Sequence, residues 1–317
     1  MSEAARSTDG AGNRHGIPPW GARTIGSRWQ HRFFYALIRL AGRRAAHAMA
    51  DFVAIYYVLF RPSVRNRSRP YLSRRFPGRS ALLRLWDSFR ITSEIGQVLV
   101  DRAALGILGP GQMTVRHSRR EDLMERVREG RGVVLVTAHA GCWQFAMENL
   151  RTLETPVSLL LHREEGDVDL HIFEYRRDDA AFRIIDPAGP LGGALEMLQV
   201  LKDGEVLCIM GDRAMGGDRS TVQVDFLGGR VRVPFTPYQL ASATGAPVVV
   251  IFPYKSGPGN YSLRVARIIR VPGGLGRDPE AYRPYAEAFI RALEGFVEER
   301  PYQFFNFFNM WNQEPMR

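Results

Sequence analysis

The stretch VLVTAHAGCWQFAMENL, residues 134–150, holds the side chains best suited to chemistry. A β-branched apolar run ends at Ala138, and His139 follows it directly. Such a run predicts a buried parallel strand, and the C-terminal edge of an open α/β sheet is where ligand sites form. Gly141 permits a tight turn, and a helix is expected to start at once, over residues 141–153. The positive end of that helix disfavours a protonated imidazole, so His139 is expected to be neutral near about pH 7 and competent as a base. A histidine after a strand is also compatible with a satisfied structural role.

A second stretch, residues 210–252, begins MGDRAMGGDRS. Asp212 and Arg213 follow an apolar run as His139 does, so the two strand ends could meet in one cleft. Gly216, Gly217, Gly228 and Gly229 permit unusual backbone angles, and Pro234 and Pro237 predict a turn before a helix. In isolation the stretch is equally a surface loop with a local Asp–Arg pair. No G-x-S-x-G elbow occurs, which disfavours an α/β-hydrolase, and no P-loop occurs, which disfavours nucleotide hydrolysis. The two cysteines, Cys142 and Cys208, lie in apolar runs without a C-x-x-C pair. Neither a disulfide framework nor a metal site is expected, and a reducing cytosol fits.

The elements that must position these residues alternate along the chain. Strands are expected at residues 132–138, 157–161, 205–210, 247–252 and 261–271. Helices are expected at 80–108, 141–153, 193–201, 239–244 and 279–300. In the first of these helices Leu82, Leu83, Trp86, Phe89, Ile95, Val98 and Leu99 recur at helical spacing. The last carries Phe289, Leu293, Phe296 and Val297 on one face. The pattern predicts an α/β fold: a mixed, mostly parallel sheet flanked by helices. No linker divides residues 110–317, so residues 80–317 are expected to form one catalytic domain.

Charge is unevenly spread. The chain of 317 residues carries a formal net charge of +10, and all of its basic residues except Lys202 and Lys255 are arginine. Residues 28–79 hold 12 Arg against one acid, Asp51. Two apolar stretches, 33–41 and 52–60, lie among these arginines, and the longer uninterrupted run is nine residues. That is well short of the roughly 20 residues that span a bilayer. Aromatic faces beside Arg clusters suit a helix lying in the plane of an anionic membrane, while a core hairpin with a solvated basic connection is the plainer reading. No nucleic-acid motif accompanies the charge, so nucleic acid is not expected as a partner. Residues 1–27 are polar and Gly-rich, lack the apolar core of a signal peptide, and read as a disordered tail.

Several ordered blocks together resemble the lipid A biosynthesis lauroyl/myristoyl acyltransferase family, which also includes acyltransferases of mycobacterial phosphatidylinositol mannosides. TAHAGCWQ (137–144) resembles its His-x-Gly-x-Trp-acid core, a form of the His-x4-Asp/Glu motif of glycerolipid acyltransferases. GDR (211–213), VDFLG (224–228), VPFTP (233–237) and ATGAPVVVIF (243–252) resemble its second block. FFYALIRLAGRRAA (33–46) and YYVLF (56–60) resemble its membrane segment, and ERPYQFFNFFNMWNQ (299–313) its aromatic C-terminal signature. The resemblance implies transfer of a fatty acyl chain from acyl carrier protein or acyl-CoA to a hydroxyl or amine of a (glyco)lipid, at the cytoplasmic face of the bacterial inner membrane, with no cofactor. It implies that His139 is the general base, that Gly141 and Trp143 meet substrate, with Trp143 lining the acyl channel, and that Arg213 steadies the oxyanion or a donor phosphate.

One position departs from the pattern. Gln144 stands where the family has its acid. Gln144 can fix the imidazole tautomer but carries no charge to stabilise an imidazolium. Three accounts are open: Gln144 suffices; another acid, Asp212, Asp225 or Glu148, takes over, with Asp212 preferred for its strand-edge position; or the chain is a non-catalytic lipid- or acyl-carrier-binding homologue.

Overall fold

The computed structural model describes residues 28–109, 111, 113–142, 150, 153, 155–161, 182–213 and 220–311, with backbone only for 28–31 and 190. Three helices come first: α1 (Arg28–Phe60), α2 (Pro62–Arg75) and α3 (Ala81–Leu108). There follow β1 (Thr114–Ser118), α4 (Arg120–Arg128), β2 (Val133–Thr137), β3 (Val157–Leu160) and β4 (Phe182–Ile185). Then come α5 (Ala194–Lys202), β5 (Val206–Met210), β6 (Thr221–Phe226), β7 (Gly229–Pro234) and α6 (Thr236–Thr244). The chain closes with β8 (Val248–Gly257), β9 (Asn260–Ile269) and α7 (Arg283–Glu299).

Seven strands form one sheet in the order β1-β9-β8-β2-β5-β3-β4, and β6 and β7 form a separate hairpin. Every neighbouring pair in the main sheet is parallel except β8 and β9. Only residues 258–259 join those two strands, and so short a link permits only antiparallel pairing. The fold is thus the expected α/β class. Its central strands are buried on both faces, and their alternation divides two cores. Val134 and Val136 of β2, Leu207 and Ile209 of β5, and Val248 and Val250 of β8 face one core. Phe289, Leu293, Phe296 and Val297 of α7 fill that side, as their spacing predicts. Val133 and Leu135, Val206 and Cys208, and Val249 and Ile251 face the other.

Several elements were not expected. β1 is an almost wholly exposed edge strand, and α4 buries only Leu123, so neither carries an apolar pattern. The β6–β7 hairpin lies in a stretch read for its glycines and prolines. Its Val222, Val224 and Phe226 do alternate with Gln223 and Asp225. The helix expected over 141–153 lies largely outside the described residues, as does the tail of residues 1–27. α6 begins at Thr236 rather than 239, because Pro237 belongs to its first turn.

The N-terminal helices form a layer of their own. α1 is broken at Gly42, whose φ of 76° is outside helical space. Beyond the break it packs on α3, with Ala50 against Gly96 and with Ser93 and Gln97 donating to Asp51 at 2.5 and 2.8 Å. Asp101 of α3, fully buried, accepts from His47 Nε2 and from Tyr261 of β9, each at 2.6 Å. These pairs make α1 and α3 antiparallel, so the last turns of α1 and the first turns of α3 share one end. The helix expected over 80–108 is α3; of its apolar residues Val98 is buried, Phe89 and Ile95 are half-buried, and Leu82, Leu83, Trp86 and Leu99 are exposed. The other face of these first turns is packed: Asp87 and Ser88 are buried, and Asp87 accepts from Tyr302 at 2.8 Å.

Candidate active site

The parallel register of β2 and β5 pairs Thr137 with Met210. The Gly211 amide extends that ladder by donating to the Thr137 carbonyl at 2.8 Å. A Cβ on Gly211 would fall 2.6 Å from Val136 Cγ1, so only glycine allows the approach. One residue further, His139 and Asp212 stand side by side at the C-terminal edge of the sheet. His139 Nδ1 lies 3.0 and 3.1 Å from the two carboxylate oxygens of Asp212. The carboxylate is 1% exposed, whereas the imidazole side chain is 33% exposed.

Burial alone would push the Asp212 carboxyl up. The charge and hydrogen bonds of His139, including its backbone N–H, together with the charge of Arg213, outweigh burial and hold it below the ordinary carboxylate range. A carboxylate facing Nδ1 keeps the proton on that nitrogen and leaves the Nε2 lone pair free toward the exposed side. This tautomer is assigned from the hydrogen bond. Arg213 follows Asp212 directly. Its Nη2 donates to the Phe305 carbonyl at 2.9 Å, its Nε lies 3.9 Å from Asp212 Oδ2, and its guanidinium lies 4.8 Å from the Phe308 ring centroid. Burial lowers the Arg213 pKa against the pull of Asp212.

Gly141 has a φ of 58°, and a Cβ there would fall 1.7 Å from the Pro253 carbonyl oxygen. The glycine therefore lets the His139 turn lie against the backbone of β8 at Pro253 and Tyr254. Trp143, Gln144 and Glu148 lie outside the described residues. Asp225 is exposed on the hairpin opposite Arg230. Among the described residues no group of three or more His, Cys, Asp or Glu could hold a metal ion. Both cysteines are buried, and burial pushes the Cys208 thiol up to about 12, which removes it as a nucleophile.

Sequence reasoning missed what holds His139 from the other side. The Phe305 amide donates to the His139 carbonyl at 2.8 Å, Ala140 bridges Phe304 in antiparallel fashion, and the Gly141 amide donates to the Gln303 carbonyl at 2.7 Å. The aromatic run around residue 304 is conspicuous in sequence, but no local pattern names its distant partner.

The family model described as bacterial lipid A biosynthesis acyltransferase matches residues 22–313. A phosphatidylinositol mannoside acyltransferase of Mycolicibacterium smegmatis is 30% identical over 146 residues, 46% of this chain and 47% of that protein. The protein of the same name from Mycobacterium tuberculosis is 28% identical over 131 residues, 41% of each chain. The chain spans about half the length, or less, of the curated relatives it matches. The family match, in contrast, takes in the helical layer, the sheet and the histidine–aspartate pair: the chain belongs to the bacterial lipid A biosynthesis acyltransferase family.

Proposed function

We propose that the protein is an acyltransferase that works at a membrane surface. It moves a fatty acyl chain from a thioester donor, acyl carrier protein or acyl-CoA, to a hydroxyl or amine of a (glyco)lipid. The observation that carries this reading is the pairing of a part-exposed His139 with the buried Asp212 at 3.0 Å. His139 Nε2 takes the proton of the acceptor as its oxygen or nitrogen adds to the thioester carbonyl, and Asp212 stabilises the imidazolium. The tetrahedral oxyanion then collapses, the C–S bond breaks, and Nε2 returns the proton to the departing thiolate. No acyl-enzyme forms. Arg213 adds positive charge for the oxyanion or a donor phosphate. The family motif assigns Trp143 to contact with the acyl chain, and Gln144 is secondary to Asp212.

Membrane contact is supported by the shared end of α1 and α3. Phe52, Ile55, Tyr56, Leu59 and Phe60 of α1 and Leu82, Leu83 and Trp86 of α3 are all exposed there. Arg61, Arg67 and Arg69 are exposed beside them. Among the described residues no helix is long and apolar enough to cross a membrane. The exposed aromatic face beside these arginines supports attachment in the plane of the cytoplasmic leaflet. The acceptor class follows from the relatives: the family description names lipid A, and the curated relatives' name is phosphatidylinositol mannoside acyltransferase.

The test offers acyl-CoA and acyl carrier protein thioesters with a phosphatidylinositol mannoside or a lipid A precursor in mixed micelles, and reads acylated lipid by mass. Wild type is expected to form product with one pair. His139→Ala is expected to lose roughly 10²–10⁴ in rate at an unchanged unfolding midpoint. Normal turnover by His139→Ala would remove the base from the mechanism. Wild-type failure with every pair would favour the non-catalytic binding protein.

A further inference from the structure

A histidine that lies two residues past a strand end has no ladder to hold its backbone. Here the C-terminal segment, just after the turn Pro301–Gln303, supplies one. Phe305 uses both ends of its backbone: its amide holds the His139 carbonyl at 2.8 Å and its carbonyl receives Arg213 at 2.9 Å. The segment can fix His139 only if it is itself fixed, and Gln303 does that. Its carbonyl accepts from Gly141 at 2.7 Å. Its side-chain amide turns the other way and makes a matched pair with one residue of β8. Oε1 accepts from the Lys255 amide at 2.9 Å, and Nε2 donates to the Lys255 carbonyl at 2.8 Å. The Gln303 side chain thus does for Lys255 what a neighbouring strand residue would do, engaging both its N–H and its C=O in a two-bond ring. Lys255 is also anchored: its Nζ donates to Gln97 Oε1 on α3, and Gln97 reaches Asp51 of α1 at 2.8 Å. Gln303 and Lys255 are both buried.

We propose that Gln303 is a positioning residue, whose side-chain clamp on the Lys255 backbone locks the 303–305 bridge and so holds His139 in line with Asp212. The proposal rests on the reading of His139 and Asp212 as the working pair. Only a glutamine fits the clamp. Leucine fills the space and makes neither bond, glutamate keeps the acceptor and loses the donor, and asparagine is one carbon too short.

The test labels the full-length protein with ring-15N histidine and observes the ring N–H protons. The wild-type His139 Nδ1–H is expected far downfield, identified by its loss in Asp212→Asn. Gln303→Leu is expected to broaden or erase that signal and to lower kcat about 10–10²-fold, with KM changed by no more than about threefold, because a displaced base costs the reaction step rather than binding. Gln303→Glu is expected to fall between and carries the test alone if Gln303→Leu does not fold. A purely structural glutamine would lower the unfolding midpoint and leave the signal and kcat unchanged, which overturns the proposal. A wild type with no downfield signal would sink the His139–Asp212 reading itself, a result distinct from a wild-type signal that survives both Gln303 variants.

Discussion

At the scale of single residues, the question is which group serves the imidazole. The sequence offered Gln144 at the family's position and three acids elsewhere. The β2–β5 register brings Asp212 to 3.0 Å from Nδ1, and its carboxyl is held ionised by His139 and Arg213 despite its burial. Asp212→Asn is therefore expected to be the damaging change. An amide can donate to Nδ1 and stabilise the wrong tautomer, and the loss should be on the order of 10²–10⁴ in kcat. Gln144→Glu should gain little, since the Asp212 carboxylate already fills the role, and the double variant should resemble Asp212→Asn if a carboxylate at 144 does not reach Nδ1. A Gln144→Glu that rescues Asp212→Asn would reverse these assignments. The same carboxyl makes stability depend on pH. Its folded pKa lies below the unfolded value of about 3.9, so its contribution is complete above that value and is lost as pH falls through the folded pKa. The gap in urea midpoint between wild type and Asp212→Asn should be widest at neutral pH and narrow below about pH 4. A gap that does not change with pH would mean that the carboxylate's charge is not what stabilises the fold.

At the scale of elements, legibility followed burial. Strands β2, β5 and β8 are buried on both faces, so their apolar runs announce them, and with them the edge on which His139 and Asp212 stand. Edge strand β1 and the polar α4 bury almost nothing and leave no such trace. The pairing of 139–141 with 303–305 is carried by backbone groups, to which side-chain patterns are blind. Helical spacing located α3, but it reports amphipathicity without saying what the apolar face meets, and the start of that face is exposed. The fastening of the helical layer to the sheet was equally hidden. Asp101 joins His47 and Arg43 of α1 to Tyr261 of β9, the arginine at 3.7 Å and the other two at 2.6 Å. Breaking a buried charged group away from its partners typically costs roughly 3–5 kcal/mol, so Asp101→Ala should destabilise by about that much and make α1 the first segment cut in limited proteolysis. An unchanged urea midpoint would show that the layer is held by packing alone.

At the scale of the whole molecule, a short run of contacts links the apolar end of the helical layer to the His139 turn. Arg90 lies over both Trp86 and Tyr302, at 5.8 and 4.8 Å from the ring centroids, and Tyr302 donates to Asp87 at 2.8 Å. The next residue, Gln303, bonds the turn after His139. A protein resting on its α1–α3 end would thus hold the site near the headgroups, where a lipid acceptor presents its hydroxyl. Replacing Phe52, Phe60 and Trp86 together by serine should spare the fold, because all three are exposed. Each should cost on the order of 1 kcal/mol of membrane affinity, about half of full burial, so the triple variant should bind anionic vesicles on the order of 10²-fold more weakly. Wild-type attachment should also weaken with salt, which screens Arg67 and Arg69. The informative comparison is between two forms of one acceptor. Against vesicle-embedded lipid the triple variant should show a raised apparent KM, because the substrate is met only on the surface. Against a short-chain acceptor dissolved as monomers it should turn over as wild type does, because His139 and Asp212 are untouched. Equal loss on both acceptors would mean that the substitutions act through the fold, and equal activity on both would mean that this end of the molecule is not the one that meets the membrane.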